Sequence, residues 1–308
     1  MSEPRVIGLL SWYSESAVWL AATVASAAKC CDHIVAVDGA YFLYPEGRNR
    51  SSSEQAAIIT DVAAAHGMGV TVHTPSTVWE GNEVEKRSFM FRLAETIAES
   101  GDWYLVLDGD EVILDVPSDF KQRLAATDLE AGEVTFWEHQ DPQQDSKLAA
   151  AARQFEWSGH HRYPIRTLFR AIPGLKVETN HYTYVTPDGR QLWGNDTQKE
   201  QVPALDCRDL LIEHRTHLRD LARRADAQRY YKTRDAAGIE AGLCAKCADE
   251  KATKFITVDW ELEEQGLTAR TVPVCEACWP AMKEASDEAV RELGFDPAGL
   301  DYQGAAAA

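Results

Sequence analysis

Short apolar runs alternate with amphipathic helical stretches along the first hundred residues, and no other feature limits the possible folds so tightly. RVIGLLSW, HIVAVDG, GVTVHTP and DWYLVLD read as strands. Between them lie an alanine-rich stretch from about Glu15 to Cys31, a second stretch SSEQAAIITDVAAAHG closing at Gly67, and a third, NEVEKRSFMFRLAETIAESG; each has helical periodicity. Strands joined through helices require right-handed crossovers, so a mainly parallel sheet covered on both faces is expected. Ligands of such sheets sit beyond the carboxyl ends of the strands. Asp38, Asp108 and Asp110 all fall at those ends and should face one crevice.

Beyond Asp115 the pattern loosens. AGEVTFWEHQD reads as a further strand, and YPIRTLFRAIPGLKVETNHYTYV as strands flanking a turn. CRDLLIEHRTHLRDLARRADAQRYYKTRDAAG reads as a strand entering a strongly basic helix. The expected organisation is a large α/β domain over 1–240, a small second domain over 241–296 and a frayed tail over 297–308.

The stretch DWYLVLDGDEVILD sets a problem, because a buried strand exits into Asp108, Asp110 and Glu111. Residues two apart on extended chain project to the same side, so Asp108 and Asp110 can aim at one point, with Gly109 allowing a sharp turn. Crowded carboxylates repel one another unless a cation neutralises them, and hard oxygen donors suit Mg²⁺ or Mn²⁺. A solvated acidic turn is the plain alternative.

At these residues the chain resembles nucleotide-sugar glycosyltransferases of the GT-A fold, in the family 2-like group. VIGLLSWYSES is similar to that family's opening strand and nucleotide loop, IVAVDGAY to its second acidic position, and LVLDGDE to its Asp-x-Asp. The resemblance spans residues 4 to 235 and weakens in the second half. It implies a Rossmann-like, mainly parallel mixed sheet. It further implies nucleotide contact by Ser11, Asp38 and Gly39, and metal and diphosphate contact by Asp108 and Asp110. Trp-Tyr-Ser-Glu stands where Tyr-Asn-Glu is frequent, a departure within the nucleotide loop.

Counter-charge has several candidate sources. Lys86 and Arg87 lie near the start of the helix before the acidic strand, where side-chain charge and free amides can meet a phosphate. His214 closes an apolar strand as Asp108 does, and resembles the histidine with which GT-A enzymes often complete the metal site; His217 and His181 compete for that role. Arg215, Arg219, Arg223, Arg224 and Arg229 read mainly as a solvated face. The implied reaction is a single displacement with inversion, moving a sugar from a nucleotide-sugar donor to an acceptor hydroxyl. Glu138 and Asp141 are the candidate bases, and Trp137, Trp157 and Trp193 are either sugar platforms or core.

CAKC at 244–247 and CEAC at 275–278 form two C-x-x-C pairs around an expected hairpin. Cys244, Cys247, Cys275 and Cys278 thus match a closed four-cysteine structural zinc site and resemble a zinc ribbon. Cys30, Cys31 and Cys207 read as reduced thiols.

Composition narrows the partners. A formal net charge of -18 over 308 residues disfavours nucleic acid and anionic membranes. No stretch is long enough to span a bilayer, and a soluble cytoplasmic protein is expected. Oligomeric state and acceptor class (protein, glycan or lipid head group) stay open. Three other functions are compatible with the sequence. LVLDGDEVIL also resembles the first motif of haloacid-dehalogenase-type phosphatases; a metal-dependent nucleotidyltransferase could use the same aspartates; and a non-catalytic zinc-ribbon adaptor would need none of them.

Overall fold

The computed structural model describes residues 3–42, 44, 49–80, 82–139, 160–178, 182–194, 202–215, 254–263, 266–274, 276–292 and 297. Four strands, β1 (Val6–Ser11), β2 (His33–Val37), β3 (Gly69–His73) and β4 (Trp103–Asp108), run parallel in the order β3-β2-β1-β4. The helices α1 (Ala17–Ala27), α2 (Ser53–Ala65) and α3 (Asn82–Glu95) connect them. Every residue of β1 is buried, as a central strand with helices on both faces requires. Leu20 and Val24 of α1 and Ile59 and Ala63 of α2 cover one face of the sheet. Met90, Phe91 and Ala94 of α3 cover the other.

The sheet continues through β5 (Glu111–Asp115), β6 (Ala131–His139), β7 (His160–Arg170) and β11 (Ala204–His214), giving eight strands ordered β3-β2-β1-β4-β7-β6-β11-β5. The helix α4 (Phe120–Ala126) follows β5 and buries Phe120 and Leu124. A separate three-stranded sheet, β8 (Lys176–Val177), β9 (Tyr184–Val185) and β10 (Gln191–Trp193), packs its Val177 and Tyr184 beside α3. The chain is therefore α/β with one large mixed sheet.

One connection dictates the shape of that sheet. Only Gly109 and Asp110 separate β4 from β5, a reach of at most about 11 Å. Three strands nevertheless lie between β4 and β5, which in a flat sheet would stand about 19 Å apart. The sheet must curl until β5 returns beside the end of β4. β6 and β11 run parallel to each other, and both pair antiparallel with β7 or β5, so their carboxyl ends arrive where β4 ends.

β12 (Lys254–Glu263) and β13 (Gly266–Val274) form the expected antiparallel hairpin, followed by α5 (Trp279–Glu292). Lys254 stands opposite Val274, so the hairpin's open end is the end from which both cysteine pairs continue in sequence. Cys244, Cys247 and Cys275 lie outside the described residues, as do Asp141, Trp157, His181, His217 and the basic stretch after Arg215. Cys30, Cys31 and Cys207 are buried thiols. Among the described residues no helix is long and apolar enough to cross a membrane.

Candidate active site

Five strands that point the same way end at one place. Ser11 closes β1 and pairs with Asp108 at the end of β4, while Asp38 follows β2. Glu138 lies near the end of β6 opposite His214, which closes β11, and His214 in turn pairs with Glu111 at the start of β5. Ser11, Asp38, Asp108, Glu138 and His214 therefore converge, although Glu138 and His214 reach the crevice from the other half of the sheet.

Backbone contacts fix the Asp-Gly-Asp turn. Gly109 N–H donates to Ser11 O at 2.9 Å, Thr23 Oγ1 donates to Gly109 O at 3.1 Å, and Arg215 N–H donates to Asp110 O at 2.9 Å. Gly109 keeps a negative φ, so its sequence-based explanation needs correcting: space, not backbone freedom, selects glycine. A Cβ at this position would lie 2.9 Å from Glu15 Cγ and 3.2 Å from Trp12 Cβ. Glu15, buried against this turn, has no local sequence pattern that announces it.

The two aspartates have different neighbours. One terminal nitrogen of Arg87 donates to both oxygens of Asp108 at 2.8 Å. Asp110 is buried, and its Oδ2 lies 3.5 Å from His214 Nε2. The opposite ring nitrogen, His214 Nδ1, is 3.2 Å from Glu138 Oε1, and Tyr163 OH donates to Glu138 Oε2 at 3.2 Å. Glu111 accepts from the Asp108 N–H at 3.0 Å.

Asp38 is tied down from the α2 side. Ser51 donates to it through N–H at 2.8 Å and Oγ at 2.6 Å, while the carbonyl of Asp38 accepts from Trp79 Nε1 at 2.7 Å. Gly39 adopts φ +115°, and a Cβ there would approach Pro75 and Trp79 to 2.6 Å. Lys86, fully buried, donates to Trp12 O at 2.7 Å and Gly39 O at 3.0 Å, linking the exits of β1 and β2. Trp12 belongs to the core, and Trp137 and Trp193 each lie beneath an arginine, Arg162 and Arg166 respectively.

Titration follows from this crowding. Asp38 and Asp108 act on Lys86, Asp108 pairs with Arg87, and Asp110, Glu111 and Glu138 act on His214. Burial, then Asp108, holds the Glu111 carboxyl above the usual carboxylate range. Burial alone would lower the His214 imidazole, but Asp110 and the bond to Glu138 raise it instead. Burial lowers Lys86 to about 7 despite Asp38 and Asp108. Proton retention thus has different leading causes, burial at Glu111 and the neighbouring carboxylates at His214.

A divalent cation fits this donor set in a restricted way. Among the described residues no three His, Cys, Asp or Glu side chains gather closely enough to hold an ion unaided. Asp110 and His214 Nε2 form a two-donor pair, with a carboxylate on the far ring nitrogen, the arrangement that orients histidine ligands of metals. One carboxylate and one imidazole would leave most of an octahedral shell to water and phosphate oxygens. The sequence matches no model of a known protein family and no curated protein.

Proposed function

We propose that this chain is a divalent-metal-dependent glycosyltransferase of the GT-A type, transferring a sugar from a nucleotide-sugar donor to an acceptor hydroxyl. The observation that carries the reading is the approach of Asp110, just past the exit of β4, to His214 from β11, with Asp108 and its partner Arg87 alongside and the exits of β1 and β2 beside them. Asp110 and His214 would hold Mn²⁺ or Mg²⁺, which when bound supplies Lewis-acid stabilisation of the leaving nucleoside diphosphate.

The chain's own groups divide the remaining work. Ser11 and Gly39, at the exits of β1 and β2, border the place for the nucleoside, with the Asp38–Ser51 bonds holding the loop in shape. Arg87 neutralises Asp108 and brings a buried guanidinium to the side on which the diphosphate would lie. Lys86 keeps the loops after β1 and β2 at a fixed separation. Inversion would need a base facing the acceptor hydroxyl, for which Glu138 and Asp141 are the carboxylates in sequence.

The test is a thermal-shift panel of nucleotide sugars with Mn²⁺ on the full chain and on Asp110→Ala. One nucleotide class should stabilise the parent and leave the variant unmoved, with release of the nucleoside diphosphate in the presence of acceptor. Indifference of the parent to every nucleotide would reject the reading, and release of inorganic phosphate would favour a phosphatase.

For the C-terminal hairpin we propose a structural zinc held by Cys244, Cys247, Cys275 and Cys278. The support is the antiparallel register of β12 and β13, which directs the chain segments carrying the two pairs from the same end. Four thiolates close the coordination shell, so this zinc would stabilise and not catalyse.

A further inference from the structure

We infer that Glu138 is a positioning residue, which presents His214 Nε2 to a divalent cation shared with Asp110; the inference rests on the metal-dependent reading above. Parallel pairing of β6 with β11 sets Glu138 opposite His214, and antiparallel pairing of β6 with β7 brings Tyr163 alongside. Each oxygen of the Glu138 carboxylate engages one of these neighbours: Oε1 meets His214 Nδ1 at 3.2 Å, and Oε2 accepts from Tyr163 OH at 3.2 Å. With Nδ1 held by the carboxylate, the nitrogen that faces Asp110 Oδ2, 3.5 Å away, is Nε2. Phe136, whose ring centroid is 6.3 Å from that of His214, walls one side of the imidazole. The Arg215 N–H bond to Asp110 O fixes the other donor, so both ligands are held from the same end of β11.

This geometry separates two roles for Glu138. A general base must turn an oxygen toward the acceptor hydroxyl within hydrogen-bond reach. A carboxylate behind a metal-binding histidine must instead accept from the far ring nitrogen, and its loss typically weakens the metal about 10- to 100-fold. The contacts of Glu138 are those of the second role. Tyr163 then acts one step further back, fixing the carboxylate that fixes the ring.

The experiment titrates Mn²⁺ alone into the full-length chain and follows free Mn²⁺ by electron paramagnetic resonance. Glu138→Ala should weaken Mn²⁺ about 10- to 100-fold. Glu138→Gln, whose amide oxygen still accepts from Nδ1–H, should stay close to the parent. Tyr163→Phe, which loosens Glu138 without removing it, should show a smaller loss, and it keeps the test decisive should Glu138→Ala fail to fold. Parent-like Mn²⁺ affinity in both Glu138→Ala and Tyr163→Phe would overturn the inference, as would equal losses in Glu138→Gln and Glu138→Ala. A base role gives another pattern: unchanged Mn²⁺ affinity in both Glu138 variants, with sugar transfer lost in both. A parent chain that binds no Mn²⁺ would remove the metal-dependent reading itself, and this inference with it.

Discussion

Replacing Lys86 with methionine should change how stability depends on pH. The ammonium is buried, donates to the carbonyls of Trp12 and Gly39, and has its pKa lowered to about 7 by that burial. An unfolded lysine titrates at about 10.4, so between pH 7 and 10 the unfolded chain binds the proton more tightly than the folded one. Stability from this group is therefore complete above the unfolded value and drains away as pH falls through about 7. Integrating the difference in bound protons from pH 7 to pH 9 gives a gain of about 2 kcal/mol. The assay is urea unfolding of parent and Lys86→Met at pH 7, 8 and 9. The parent's midpoint should climb across the series by more than the variant's, the difference reaching about 2 kcal/mol at pH 9. The variant should also be less stable throughout, because Trp12 O and Gly39 O lose a donor in a buried place, at about 1–3 kcal/mol. Identical pH slopes in the two proteins would refute the claim that burial holds Lys86 near neutrality.

Three further outcomes are expected. Asp108→Asn should cost more than Arg87→Met, by urea unfolding at neutral pH, because it strands the more deeply buried partner: the side chains are 33% and 6% exposed respectively; the reverse order would contradict the ion pair. Gly109→Ala should destabilise by about 1–3 kcal/mol, since Glu15 and Trp12 leave a Cβ too little room, and Gly109→Ala with Glu15→Ala should recover part of the loss. Elemental analysis should find zinc in the purified chain and less in Cys278→Ser, with faster hydrogen exchange in β12 and β13; an unchanged zinc content would dispose of the ribbon assignment.

The half of the fold written in local periodicity can be read directly. β1 to β4 and their helices appear where apolar runs and amphipathic stretches stand, because burial on two faces or one stripe leaves its mark on neighbouring residues. β5 is not legible in this way: EVILD follows the acidic turn at once and looks like its continuation, and its partner β11 comes only after five intervening strands. The position of Asp110 and His214 as strand-end residues is visible in the sequence, but their 3.5 Å approach depends on the curl of the sheet. For the same reason the strand carrying Glu138 is legible in sequence but its neighbours are not, since they come from β7 and β11. Glu15 offers no signal, since only the crowded turn at Gly109 reveals its role.

The two-residue link from β4 to β5 has a consequence for how the protein comes into being. A nascent chain emerging as far as Asp115 already carries the whole acidic turn, yet the strand that must receive β5 has still to be synthesised. Until β11 arrives, β5 has an unsatisfied edge and Asp110 lacks both the Arg215 amide and the His214 ring. The crevice is thus closed by one long-range strand, and a ribosome-bound or truncated chain ending before His214 should contain its aspartates without the ring and amide that face Asp110.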